Sequence, residues 1–377
     1  MRKFLLIAGI IIILVLGLGY VQFQNKNAPI SSFPSQAPRQ NKLQNETLII
    51  TTIAENLDTP WAITFLPDKN MLVTERFGRV RLIDSNGNLN TNPVAVIEDV
   101  RETGEGGLLG ITVHPDFSSN NYIYLYYTYA SSGNNTLNRV VRMTYKDNKL
   151  IEQNVIIDNI PGASNHNGGR IKFGPDKFLY ISTGDAQNPS QAQDVNSLGG
   201  KILRVTDEGK PAPGNPFNNP VYSYGHRNVQ GLAWDSNNRL WATEHGRSGA
   251  ESGLDEINLI EQGKNYGWPV IQGNEQRQGM ETPRINSGST TWAPSGATFV
   301  GSSLFFSGLR GQALYKAEIN NNQIVQIKEH FKSQYGRIRE VILGQDGMLY
   351  ITTSNKDGRG NPQLNDDKVI KIDPEDL

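Results

Sequence analysis

The chain contains no cysteine. That excludes disulfides, thiolate metal sites and a thiol nucleophile, and it leaves Asp, Glu, His and carbonyl oxygen as metal ligands, a set suited to hard cations such as calcium. It also lacks an excess of either charge. With 36 basic and 37 acidic side chains in 377 residues the formal net charge is −1, so there is no global basic field to hold phosphate backbones, and nucleic acid is disfavoured as a partner. No stretch comparable in length to the alternating runs described below shows helical periodicity.

At the N-terminus, Arg2 and Lys3 precede an apolar run from Phe4 to Val21, the charged-then-hydrophobic pattern that export machinery reads. The run is about long enough to span a bilayer and no Ala-x-Ala site follows it. Residues 1–24 therefore read as a hydrophobic helix that is either a signal peptide or a retained membrane anchor. The location expected is periplasmic or extracellular, with attachment to the cytoplasmic membrane if residues 4–21 are kept. Residues 25–46, rich in Asn, Gln, Ser and Pro, are too polar to pack and read as a disordered linker. The folded domain is expected over residues 47–377.

Within it, one pattern recurs six times: an apolar alternating run, a turn of Pro, Asp, Gly and Asn, and a second apolar run. The copies start at Trp61, Gly110, Gly169, Gly231, Gly296 and Arg339. Each reads as a β-hairpin, because period-2 runs of Ile, Val, Tyr, Phe and Thr suit a half-buried pleated surface. Spacings of roughly forty-five to sixty-five residues leave room for a four-stranded sheet and a long loop, the size of a propeller blade. The fold expected is all-β, a six-bladed β-propeller. A pair of β-sandwiches would show the same alternation without repeating one hairpin signature at each start.

Propellers act where loops converge at one end of the channel, and four segments place unusual polar residues beside the repeats. In SNHNGGRIKFGPDKFLYISTGD, His166 precedes a hairpin and Asp185 follows its second strand. A hairpin returns its end to its start, so the carboxylate can orient the imidazole as a general base, unless the His simply bonds a loop. In YSYGHRNVQGLAWD, Arg227 and Asn228 can donate to an anionic or carbonyl oxygen, or make a rim ion pair. The segment ATEHGRSGAESGLDEINLIEQGKNYGWP mixes Glu244, Glu251, Asp255 and Glu256 with glycines, an oxygen-rich calcium candidate without EF-hand spacing. Finally, YGRIREV puts Arg337 and Arg339 two apart on one strand face, solvated or gathered around an anion with several carboxylates.

In their order, LDTPWAITFLPDKNMLVTER, GEGGLLGITVHPDF, HNGGRIKFGPDKFLYISTGD, GHRNVQGLAW, WATEHG, DEINLIEQGKNYGWP, APSG and GRIRE resemble the soluble quinoprotein glucose and sorbosone dehydrogenases, nearest their bacterial aldose sugar dehydrogenase branch, from Asn56 to Asp373. The resemblance implies a propeller that binds pyrroloquinoline quinone (PQQ) and calcium over the channel mouth, oxidises aldose or oligosaccharide C1 hydroxyls to lactones, and passes electrons to an external acceptor. It makes His166 the general base and Asp185 its orienting acid. Arg227 and Asn228 would contact the quinone oxygens, Arg337 and Arg339 the cofactor carboxylates, and Arg310 would stand where relatives have a Lys. Glu105 falls on the substrate side. Main-chain oxygens of Gly246 and Arg247 would hold calcium, and Asp255, Glu256 and Tyr266 match positions framing a second calcium. The chain departs from its relatives here: Arg247 replaces a common Pro and RSGAESGL lengthens the loop. That departure sustains the alternative of a non-catalytic propeller binding a carbohydrate or protein partner. A calcium-dependent lactonase would need a carboxylate and amide cage that the sequence does not offer.

Overall fold

The computed structural model describes residues 50–377. The expected N-terminal helix, the linker and the boundary before residue 47 lie outside them. Six antiparallel four-stranded sheets make up the domain. The first five are sequential meanders: Pro60–Phe65 to Ala95–Val96, Leu108–Val113 to Lys149–Gly162, Ile171–Phe173 to Val221–Tyr224, Val229–Trp234 to Ile285–Asn286, and Pro294–Val300 to Gln323–His330. The sixth, Ile338–Leu343, Leu349–Thr353 and Val369–Ile372, takes its outermost strand from the other end of the domain, Ile50–Ala54, in register Ile50 to Ile372. The ring is thus closed by a strand pairing, which covers an edge that would otherwise template aggregation.

All six sequence repeats are the first two strands of a blade. These inner strands are buried on both faces. Met71–Glu75, Leu240–Glu244 and Leu349–Thr353 are buried at every residue, whereas the outer Gln323–His330 is largely exposed. Burial on both faces explains the apolar content of the repeats, and the polar residues among them fasten blade to blade. The hydroxyl of Thr74 donates to the Leu109 carbonyl at 2.6 Å, Thr243 to Ser295 at 2.7 Å, and Ser307 to Arg339 at 2.7 Å. Each time, a second-strand hydroxyl reaches the first strand of the next blade, a bond contributing about 1 kcal/mol. Glycine at the start of a copy follows from the same packing: a Cβ on Gly231 would sit 2.3 Å from the Ser295 carbonyl oxygen.

A buried ion pair crosses the channel. Arg170 on the third blade forms an ion pair with Glu340 on the sixth, both side chains 2% exposed. The Arg170 guanidinium also donates through Nε to the Gln230 carbonyl at 2.9 Å and lies 4.3 Å from the Trp61 ring. A buried charge left without its partner is costly, so Glu340→Leu is expected to lower unfolding free energy by about 3–5 kcal/mol. The double variant Arg170→Met/Glu340→Leu is expected to recover most of that loss in chemical denaturation. Additive losses would show that the two residues do not act as a pair.

Candidate active site

The loops before each first strand and after each second strand meet at one end of the channel. A cavity of about 460 Å³ opens there, and Glu105, His166, Arg227, Arg310, Arg337 and Arg339 line it together with Gly246, Arg247 and Asp255. Residues more than two hundred positions apart in sequence share one wall. Asp185 and Asn228 stand behind that wall, fully buried.

The hairpin of the third blade brings its ends together as expected. His166 Nδ1 lies 2.7 Å from Asp185 Oδ1, a contact in which Nδ1 donates to the carboxylate and Nε2 is the ring nitrogen left for a ligand. The backbone bends for this: His166 adopts φ +61, and a Cβ on Gly184 would lie 1.9 Å from the His166 carbonyl oxygen. Only glycine permits that approach. The second Asp185 oxygen accepts from Trp268 Nε1 at 2.8 Å. His226 offers a useful contrast, since Glu244 and Ser223 occupy both its ring nitrogens at 2.9 Å. It is a satisfied core histidine.

Glu105 accepts the His166 main-chain N–H at 3.1 Å and pairs with Arg359 at 2.5 Å. Burial works to raise its pKa, but the charge on His245, present only once that ring protonates in acid, and the Arg359 pairing hold it at about 2, so it is ionised at neutral pH. Arg359 also donates to Asn165 at 2.8 Å, which ties the sixth blade to loops beside His166.

Six arginines line the cavity, Arg227, Arg247, Arg310, Arg337, Arg339 and Arg359, against the acids Glu105 and Asp255. The anion that reconciles Arg337 with Arg339 is Asp357: Arg337 Nε donates to it at 2.8 Å and Arg339 Nη2 lies 3.7 Å away. Arg337 precedes its strand rather than lying in it, because its N–H is given to Asn355 Oδ1 at 2.9 Å, and a bulge follows between Ile338 and Glu340. Burial pushes Arg339 down to about 9, with Arg337 and Arg76 adding to the fall and Asp357 opposing it. It stays cationic at neutral pH. Burial likewise lowers His245 to about 4, leaving a neutral imidazole in the wall.

Among the described residues, several buried donors here have no partner: Arg227 Nε, Arg339 Nε and Asn228 Nδ2. Unpaired buried donors are costly unless something accepts from them. A planar quinone carrying several carboxylates supplies such acceptors, so the donor set fits PQQ. The calcium candidates do not form one ligand set. Asp255 is committed to three main-chain donors, Gly246 at 2.8 Å, Trp292 at 2.7 Å and Ala293 at 2.9 Å, so its carboxylate braces the 246–255 loop. Tyr266 gives its hydroxyl to the Leu259 carbonyl at 2.7 Å and stacks on His226. Glu256 differs. Burial and the neighbouring Glu244 raise its pKa, and both acids line a small cavity behind Gly246 and Arg247, where a cation would relieve them. Among the described residues no group of three or more His, Asp and Glu is arranged to hold a metal.

Trp268, Asp357, His245, Gln230 and Arg359 were given no role by the sequence, although Trp268, His245 and Gln230 lie inside the motifs named above. Trp268 lies inside a quoted motif, DEINLIEQGKNYGWP, but nothing in spacing sets it against Asp185, 83 positions away. Two outcomes follow for variants. Asp255→Ala leaves three N–H groups without an acceptor and is expected to cost about 1–3 kcal/mol of stability, equally with calcium and with chelator; a loss that vanishes on chelation would make Asp255 a ligand. Burial opposes the effect, but Arg337 and Arg339 hold Asp357 below the usual carboxylate range. Its stabilisation is therefore complete above about pH 4 and lost as pH falls through its depressed pKa. Asp357→Asn is expected to flatten acid denaturation there, and an unchanged acid curve would contradict that.

The Glucose / Sorbosone dehydrogenase family matches residues 57–364. The aldose sugar dehydrogenase YliI of Escherichia coli is 32% identical over 87% of this chain and 93% of its own length. Quinoprotein glucose dehydrogenase B of Acinetobacter calcoaceticus is 33% identical over 63% of this chain and 56% of its own. Among solved structures, the PQQ-bound aldose sugar dehydrogenase of Streptomyces coelicolor superposes with a TM-score of 0.81 at 39% identity, covering 86% of this chain and 97% of that one. With its fold, its channel-mouth cavity and these matches, the chain belongs to the glucose/sorbosone dehydrogenase family.

Proposed function

We propose that this protein oxidises the C1 hydroxyl of aldoses or oligosaccharides to lactones, with PQQ and calcium in the channel-mouth cavity and an external acceptor taking the electrons. One observation carries the reading: an imidazole fixed by a buried carboxylate at 2.7 Å borders a cavity rich in arginine. When bound, the quinone supplies the two-electron redox chemistry that no side chain provides. The chain's own residues orient and charge the site.

His166 accepts the hydroxyl proton at Nε2, and Asp185 stabilises the imidazolium that results. Arg227, and Asn228 behind it, offer donors where negative charge grows on reduction. Arg337, Arg339 and Arg310 face the cofactor carboxylates; Arg310 donates to Ser252 at 3.1 Å. Glu105, ionised and braced by Arg359, stands on the substrate side of His166. For calcium we assign main-chain oxygens of Gly246 and Arg247, and for a second calcium the neighbourhood of Glu256 and Tyr266. Asp255 serves as the loop's brace. Export from the cytoplasm rests on the run from Phe4 to Val21; among the described residues no helix is long and apolar enough to cross a membrane.

Dye reduction by purified protein across an aldose panel, with and without PQQ and calcium, tests this directly. His166→Ala is expected to bind PQQ with unchanged affinity while losing at least about 100-fold in turnover, the scale of a lost general base. Wild-type turnover in that variant would remove His166 from the mechanism. No activity and no quinone binding in the wild type would favour the non-catalytic propeller.

A further inference from the structure

Trp268 touches both halves of the proposed machinery. Its indole N–H donates to Asp185 Oδ2 at 2.8 Å, on the oxygen that His166 leaves free, and the Arg227 guanidinium carbon lies 5.3 Å from its ring centre. Asp185 is otherwise held by the Gln187 N–H at 2.9 Å, on the same oxygen as His166. The indole is thus the bond that sets the rotation of the carboxylate, and with it the plane of the imidazole.

The tryptophan is itself clamped. Its main-chain N–H donates to the Gly225 carbonyl at 2.9 Å, and its carbonyl accepts from Gln193 Nε2 at 2.6 Å. Gln193 and Asn265 also exchange amide hydrogen bonds at 3.1 and 2.8 Å. Gln193 ends the one-turn helix Ser190–Gln193, which the buried Lys201 ammonium secures by donating to the carbonyls of Gln191 at 2.7 Å, Ala192 at 3.1 Å and Gly199 at 2.6 Å. A continuous set of bonds runs from Lys201 through Gln193 and Trp268 to Asp185. A side chain that merely filled space would not need its backbone and its N–H fixed at once.

We propose that Trp268 is a positioning residue for the oxidation: its N–H fixes Asp185 and through it His166, while its ring supports Arg227, so that base and cofactor-side cation keep one geometry. This rests on the reading of His166 as the base.

The test starts from wild-type protein shown to turn over sugar with PQQ. Trp268→Phe keeps a ring beside Arg227 and deletes the N–H. It is expected to lower kcat about tenfold or more, with KM and quinone affinity by absorbance titration within about twofold. In an Asp185→Ala background the same substitution is expected to cost nothing more, because it acts through Asp185. Benzothienylalanine at position 268 keeps the shape without the N–H and serves if the phenylalanine variant does not fold. In quinone-free protein, the Trp268 indole N–H resonance is expected to be protected from exchange and to move on Asp185→Ala. A wild-type kcat in both position-268 variants, an equal loss in both backgrounds, or an indole resonance indifferent to Asp185→Ala each overturns the inference. A wild type without quinone-dependent turnover defeats instead the reading beneath it.

Discussion

A ring of six sheets leaves a bore along its axis, and here a buried ion pair crosses it. Arg170 and Glu340 come from opposite sides of the ring, and Trp61 covers the guanidinium. The bore becomes a floor, so chemistry has to sit at its mouth. Gln230 links that floor to the site, its carbonyl accepting from Arg170 and its side-chain oxygen from Arg339 at 2.9 Å. The cation that faces the cavity is therefore seated on the pair that closes the channel.

Above the floor, the site is an accumulation of positive charge in a partly dehydrated space. Such a cluster is stable only if each cation has a counter-charge or a ligand awaits it. Asp357 answers for Arg337 and Arg339, and Glu105 for Arg359. Among the described residues the Nε donors of Arg227 and Arg339 remain without acceptors. The neutral His245 and the carboxylate-held His166 sit in the same wall, so the pocket sets imidazole beside guanidinium. This division follows from environment: His226, with both nitrogens bound, is chemically silent although it too pairs with a carboxylate.

Much of this was legible in the sequence because it is local or periodic. Each of the six hairpins appeared where alternation and turn residues placed it, and the His166 to Asp185 contact followed from the geometry of a hairpin. Arg337 and Arg339 were legible as a pair needing an anion, but Asp357 was not, since it lies in a loop with no pattern of its own. The closing strand Ile50–Ala54 was hidden for a related reason: its partner Val369–Ile372 lies at the other end of the domain. The calcium loop was legible in composition and not in bonding. Acids and glycines together suggested ligands, yet Asp255 turned out to be occupied by main-chain N–H groups, and only the folded loop reveals that.

We place a quinone with several carboxylates in this cationic cavity. Absorbance titration of the purified protein with PQQ, at low and at raised salt, measures that claim most directly. One equivalent is expected to bind saturably, weakening as salt screens the arginines, and Arg337→Gln/Arg339→Gln is expected to abolish it. An absence of saturable binding, or full binding by the double variant, would contradict that placement.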